Sequence, residues 1–199
     1  LGRGVFQITK GAATSIEFIE ELSALSGRPV QVCPMLQDPG HPADVFDCMD
    51  AYAAATSRGR ELYGQVTPFP EIMDFNLREP YPLESLTSWQ PAMAASCDKD
   101  RMTVFRDPSF RERVKSELET AGAPFRFSNQ WNTMTIKSKV SSERRVPDKK
   151  SIAEMAQAQD KHPLDCMLDL ALSERLETNF TVGMFNAEED AVTRLLTHE

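Results

Sequence analysis

The sequence predicts an α/β fold in which βα units build a parallel sheet. Two observations predict it. Short β-branched and aromatic runs alternate with stretches of helical apolar spacing, and successive strands start roughly thirty residues apart, the interval of a βα unit. Glycines and prolines stand at the joints, where the chain must change direction.

In chain order, Val5-Phe6-Gln7-Ile8-Thr9 is the first strand, with Gly11 close behind it. Thr14 or Ser15 caps a helix to Leu25 on which Ile16, Phe18, Ile19, Leu22 and Leu25 recur at helical spacing, and Gly27 stops it. Val30 to Leu36 reads as a buried strand, followed by a polar, proline-rich loop from Gln37 to Pro42. Asp44 to Gly59 is a second helix ending in Ser57-Arg58-Gly59, and Leu62 to Thr67 a third strand broken by Pro68 and Pro70. The stretch 69–105 interrupts the rhythm and reads as an inserted loop or lid rich in proline and aromatics. Its Phe69, Phe75, Tyr81 and Trp89 either line a pocket or cover one end of the sheet.

Regular structure returns at Asp107, where Pro108 opens a helix to Thr120. Its charges (Arg111, Glu112, Arg113, Lys115, Glu117, Glu119) predict a solvated outer face paired along the helix. Trp131 to Val140 is a further strand and Ser141 to Lys150 a polar loop. Ser151 and Glu154 have the spacing of a capping box. Pro163 opens a helix with an apolar stripe of Leu164, Met167, Leu168 and Ala171; Phe180 to Phe185 is a last strand and Ala187 to Leu196 a last helix.

Composition narrows the function classes. A chain of 199 residues, 41% hydrophobic, is long enough to bury a core as one domain without a disulfide or metal staple. A net charge of −8 with no long Lys/Arg run argues against nucleic acid and anionic membrane as partners. No apolar run reaches the ~20 residues that a spanning helix needs. The four cysteines, Cys33, Cys48, Cys97 and Cys166, contain no C-x-x-C pair and read as reduced thiols of a cytoplasmic protein. The histidines His41, His162 and His198 form neither H-x-H nor H-E-x-x-H; His41 and His162, each before proline, read as solvated loop residues.

The second half carries the most informative ordered pattern: Ser151-Ile-Ala-Glu-Met-Ala, Lys161-His-Pro-Leu-Asp165, Leu168-Asp-Leu170, Asn186-Ala-Glu-Glu-Asp190 and Leu195-Leu-Thr-His198. It resembles the amidohydrolase superfamily, in the branch of N-acyl-D-amino-acid deacylases. Gly2-Arg-Gly-Val-Phe-Gln7, Ser26-Gly-Arg-Pro-Val30 and Tyr63-Gly-Gln-Val-Thr-Pro68 look like three successive barrel strands of that branch, and Asp107-Pro-Ser-Phe-Arg111 like one of its helix starts. The resemblance implies a partial (β/α)₈ barrel, the central and late portion of a longer enzyme, with residues 1–199 as a single partial barrel domain. The reaction it implies is metal-dependent hydrolysis of a non-peptide C–N bond, in an N-acyl (D-)amino acid first of all. The alternatives are a cyclic amide or imide hydrolase of the same superfamily and a non-catalytic binding protein derived from the barrel.

In this family an H-x-H on the first strand binds metal and an aspartate on the eighth moves the proton. Both fall outside these residues, so no catalytic residue is assigned within the chain, zinc or another divalent ion is expected to find its ligands mainly elsewhere, and the 199 residues alone are expected to be inactive. Where the family has a histidine and a lysine at the end of the second strand, this chain has Pro34 and Leu36. Cys33 remains as a weak metal-ligand candidate, with a buried apolar thiol as the alternative. Barrel sites gather at the carboxyl ends of strands, which selects Thr9, Cys33, Met35, Thr67 and Asn186. Asn186 and Thr67 are the substrate-binding candidates there; Arg78 is a third, as a guanidinium for a substrate carboxylate or simply a surface arginine. The expected partner is a small molecule, and an oligomer is compatible with the sequence.

Overall fold

The computed structural model describes residues 3–11, 14–120, 127, 129–137 and 150–198. Its elements are β1 (Phe6–Ile8), α1 (Ile16–Ser26), β2 (Val30–Met35), α2 (Asp44–Ser57), β3 (Leu62–Val66) and β4 (Glu71–Phe75), then a 3-10 turn (Thr87–Trp89), α3 (Gln90–Met93), α4 (Asp98–Arg106) and α5 (Pro108–Leu118). β5 (Thr135–Lys137), α6 (Ile152–Ala158), α7 (Pro163–Ser173), β6 (Asn179–Phe185) and α8 (Glu189–Leu196) complete the order. The protein is thus mixed α/β, with two three-stranded sheets among the described residues. It divides into two compact units, Leu1–Glu71 with Phe185–Glu199, and Ile72–Met184.

In the first unit the predicted βα rhythm holds. β1, β2 and β3 lie in that order and are parallel, with Phe6 opposite Val30, Val30 opposite Leu62, and Gln31 between Gln7 and Tyr63. Successive strand residues point to opposite faces. Val30, Val32 and Leu62 therefore face one side, where they meet Ile19 of α1, Val45, Phe46, Tyr52 and Ala55 of α2, and Leu195 of α8. The row Gln7, Gln31, Tyr63 faces the other side, where Gln7 and Tyr63 are exposed and the Gln31 amide donates to Gln65 at 2.6 Å. A parallel sheet is normally covered on both faces; here one carries the core and the other a polar row.

Local signals fix the ends of these helices. Ser15 caps α1 by accepting from the Phe18 N–H, and Gly27 ends it in the left-handed region at φ 60°, its N–H returning to the Ser23 carbonyl. The apolar face of α1 is narrower than its periodicity predicts. Ile16, Ile19 and Leu22 pack on the core, whereas Phe18 and Leu25 lie on the exposed side.

The second unit departs from the expected repeat. Its sheet has the order β4-β6-β5, with β5 and β6 antiparallel. The expected strand from Trp131 to Val140 is confined, among described residues, to Thr135–Lys137, because Trp131, Asn132 and Thr133 form a turn. The expected loop from Ser141 lies outside the described residues up to position 149.

The stretch 69–105 is no featureless insert: it contributes β4, the 3-10 turn, α3 and α4. Trp89, Phe105 and Phe110 form a three-ring cluster with centroids 5.5 to 5.9 Å apart, and Phe75 packs on Phe180 at 5.5 Å. Of the four aromatics expected either to line a pocket or to cover one end of the sheet, Phe75 and Trp89 are core residues, while Phe69 and Tyr81 are exposed.

Candidate functional site

The carboxyl ends of β2 and β3 and the residue just past β6 meet in the first unit. Asn186 stands there in the left-handed region at φ 51°, which asparagine tolerates better than most residues. It is 1% exposed, and its side-chain oxygen accepts the Gln37 N–H at 2.7 Å while its amide nitrogen donates to the Thr67 carbonyl at 2.9 Å. Its own backbone N–H donates to the Gln37 carbonyl at 3.0 Å. Two of the three substrate-binding candidates, Asn186 and Thr67, are therefore brought together. What joins them is a buried frame: Thr67 takes part through its carbonyl, and the Asn186 amide is committed to backbone.

Gln37 is the residue of this frame that sequence reasoning missed. It is also 1% exposed; its amide nitrogen donates to the Asp38 carbonyl at 3.2 Å, and its side-chain oxygen has no partner among the described residues. Just beyond, the Asp38 carboxylate accepts the Gly40 N–H at 2.8 Å and faces the His41 ring at 3.5 Å. His41 is exposed, as a loop histidine should be.

The end of β2 is shaped by Cys33-Pro34. Pro34 has no N–H for the ladder, and the register with β3 shifts between Val32 and Met35. The buried Met35 then packs against Gly64, where an added Cβ would stand 2.9 Å from Met35 Cγ. The Cys33 thiol is half-buried rather than enclosed. Thr9 is exposed. Among the described residues no group of three or more His, Cys, Asp or Glu side chains stands together as a metal site requires. The described residues therefore do not fit a complete metal site, and Pro34 supplies no ligand where the family pattern has histidine.

Close to this end, Lys10 donates to the sulfur of Cys48 on α2. The pair lines a cavity of about 160 Å³ together with Pro34, Met35, Leu36, Asp44 and Val45.

Arg78 lies in the second unit. Its guanidinium donates to Asp98 (2.8 Å), Glu177 (2.7 Å) and the carbonyls of Arg175 (3.1 Å) and Leu176 (3.2 Å). Arg175 and Leu176 sit at φ 53° and 64°, an uncommon conformation for side chains of their size. Arg78 thus holds the tight turn between α7 and β6 by its two carbonyls, with four of its N–H groups committed.

Two of the segments that carry the family resemblance, Asp107 to Arg111 and Lys161 to Leu170, meet in the same unit. Arg111, near the start of α5, bridges Asp165 (3.1 Å) and Asp169 (2.8 Å) of α7; Lys115 binds Asp165 at 2.6 Å and Lys161 binds Asp169 at 2.8 Å. The α5 charges meet the expected solvated, self-paired face only in part: Glu112, Arg113 and Glu119 are exposed and Lys115 pairs with Glu112 at 2.8 Å along the helix, but the others turn to neighbouring elements. Arg111 and Lys115 are only 15% and 18% exposed, and Glu117 accepts the N–H groups of Thr87 and Ser88 at 2.8 and 2.7 Å. Burial works against the charge on Asp165 and Asp169, but hydrogen bonds from Lys115 and Arg111 on the first, and Lys161 and Arg111 on the second, outweigh it and hold both below the usual aspartate value.

His162 corrects a second expectation. It is half-buried, caps α7 by accepting the Leu164 N–H on Nδ1 at 3.0 Å, and meets the Trp131 ring edge-on at 6.4 Å. Desolvation, with Lys115 nearby, lowers its pKa. The cap itself requires an unprotonated Nδ1.

Among the described residues no helix is long and apolar enough to cross a membrane. No family model, curated protein or solved structure matches the chain.

Proposed function

We propose that the chain forms part of an amidohydrolase-type (β/α)₈ barrel of the N-acyl-D-amino-acid deacylase branch, and that the protein containing it hydrolyses the amide of an N-acyl amino acid. The observation that carries this reading is the parallel β1-β2-β3 sheet, with helices on one face and Gln7, Gln31 and Tyr63 in a row across the other. A barrel wall has this asymmetry: helices outside, and inward side chains in layers completed by other strands.

The family-like segments add support through where they begin. Asp107-Pro108 starts α5, Ser151 to Glu154 caps α6, His162-Pro163 starts α7, and β6 precedes α8. In the reaction water adds to the amide carbonyl and the C–N bond breaks, leaving a carboxylate and a free amine. Asn186, Gln37 and Thr67 serve it by fixing the strand ends from which such sites are built. No step is assigned to a metal, since the described residues form no ligand group.

Pro34 and Leu36, standing where the family pattern has histidine and lysine, favour a second reading, a barrel-derived binding protein without catalysis. Incubating the intact protein with N-acetyl-D-amino acids, their L-enantiomers and cyclic imides, with product analysis, separates the readings. Release of free D-amino acid supports the proposal. Ring opening alone moves the chemistry to the cyclic amides, and turnover of none supports the binding protein.

A further inference from the structure

A cavity of about 700 Å³ lies wholly within the second unit, between α4 and the turn that follows α7. That volume is within the ~300–1,000 Å³ of small-molecule sites. What it can hold does not depend on the amidohydrolase reading.

Charge is the first guide. The chain carries a net −8, yet around this cavity the balance is reversed. Arg78 is committed to the wall: it binds Asp98 and Glu177, and Asp98 is bound again by Arg101 at 3.1 Å. Glu174 accepts the Thr178 hydroxyl at 2.7 Å. Lys99, Arg106 and Arg175 line the same cavity, are exposed, and have no ion-pair partner among the described residues. Arg78 and Arg101 offset Asp98 and Glu177. Three cations therefore face one remaining carboxylate, that of Glu174, an excess of two positive charges.

Spacing is the second guide. Lys99, Met102 and Arg106 recur at i, i+3 and i+7 and so share one face of α4. Seven residues set Lys99 and Arg106 about 10 Å apart along the helix axis. Half-buried Met102 lies between them, an apolar side chain flanked by two charged ones. Arg175 comes from the other wall, on a turn that Arg78 fixes through the carbonyls of Arg175 and Leu176. A compact anion meets one end of the α4 row. An elongated molecule with a negative charge at each end meets both and lays its apolar middle on Met102.

We propose that this cavity binds a linear dicarboxylate of the length of adipate or suberate. Lys99 holds one carboxylate, Arg106 takes the other through its planar fork, and the methylene chain rests on Met102. Arg175 adds positive charge from the opposite wall, and the two charges of the ligand match the local excess.

The test is an NMR titration of the intact protein at low ionic strength, where screening is weakest, following the amides of α4 and Arg175. The probes are adipate, hexanoate with one carboxylate, and inorganic phosphate as a compact anion. Adipate is expected to bind about fivefold more tightly than either of the others, the gain of one further charge pair at an exposed site. Lys99→Gln and Arg106→Gln, both at exposed positions, are each expected to bring adipate down to the level of hexanoate. Arg113→Gln, which removes an exposed cation of α5 that does not line the cavity, is expected to leave adipate binding unchanged. Adipate binding no tighter than hexanoate or phosphate, or an adipate affinity that Arg106→Gln leaves unchanged, overturns the inference.

Discussion

Asn186 shows how one side chain can set the ends of several strands. Its oxygen and nitrogen bind backbone at Gln37 and Thr67, and its positive φ turns the chain after β6. Replacing it with alanine leaves a buried N–H and a buried carbonyl unpaired and adds strain at φ 51°. Asn186→Ala is expected to cost about 2–3 kcal/mol in urea unfolding; a cost under ~0.5 kcal/mol, the level of an ordinary surface change, contradicts the framing role. Arg78 acts similarly on the turn at Arg175 and Leu176. Arg78→Lys keeps the charge but not the planar fork, so it is expected to lose most of the about 2 kcal/mol that Arg78→Ala loses. Equal stability of the lysine variant and the wild type contradicts the clamp.

Thr67 and Asn186 were legible as strand-end positions. The use to which they are put was not, because the Asn186–Gln37 bond joins residues 149 apart. Nothing in the polar run after Met35 distinguishes Gln37 from a loop glutamine.

At the scale of elements, legibility follows the distance to the partner. Ser15, Gly27, Asp107, Ser151 and Pro163 act within four residues of themselves, and each marks a helix end as its type predicts. The cross-helix partners of Arg111 on α5 were not legible in this way, because Asp165 and Asp169 lie more than fifty residues on. The regular elements within 69–105 were hard to read for a related reason. Pro70, Pro80, Pro82 and Pro91 break its first part into short pieces, and the rings of Trp89 and Phe105 find their partner Phe110 only on α5.

Packing of α5 on α7 also gives the second unit a pH response. The His162 pKa is lowered from 6.5, so its stabilising contribution is whole above pH 6.5 and is lost as pH falls through the lowered value. Asp165 and Asp169 are lowered from 3.8, so theirs is present above pH 3.8 and is lost in more acid solution. Melting temperature followed from pH 7.5 to 3 should therefore fall in two stages. His162→Asn, which can still cap α7, is expected to remove the first stage and leave the second. Identical profiles for the two proteins contradict the assignment of the first stage to His162.

For the molecule as a whole, the sequence rhythm describes the first unit, and the barrel is a proposal that rests on the resemblance and on that unit's parallel sheet. The parallel order of β1, β2 and β3 followed from intervals of a βα unit, whereas the antiparallel β5–β6 pair in the second unit carried no spacing signal of its own. The functional proposal stands or falls on hydrolysis of an N-acyl amino acid by the protein that contains this chain. The most direct measurement is turnover of N-acetyl-D-amino acids by the intact protein, followed by chromatographic analysis of the products. Release of free D-amino acid together with acetate is the expected result; an intact, folded protein that releases neither contradicts it.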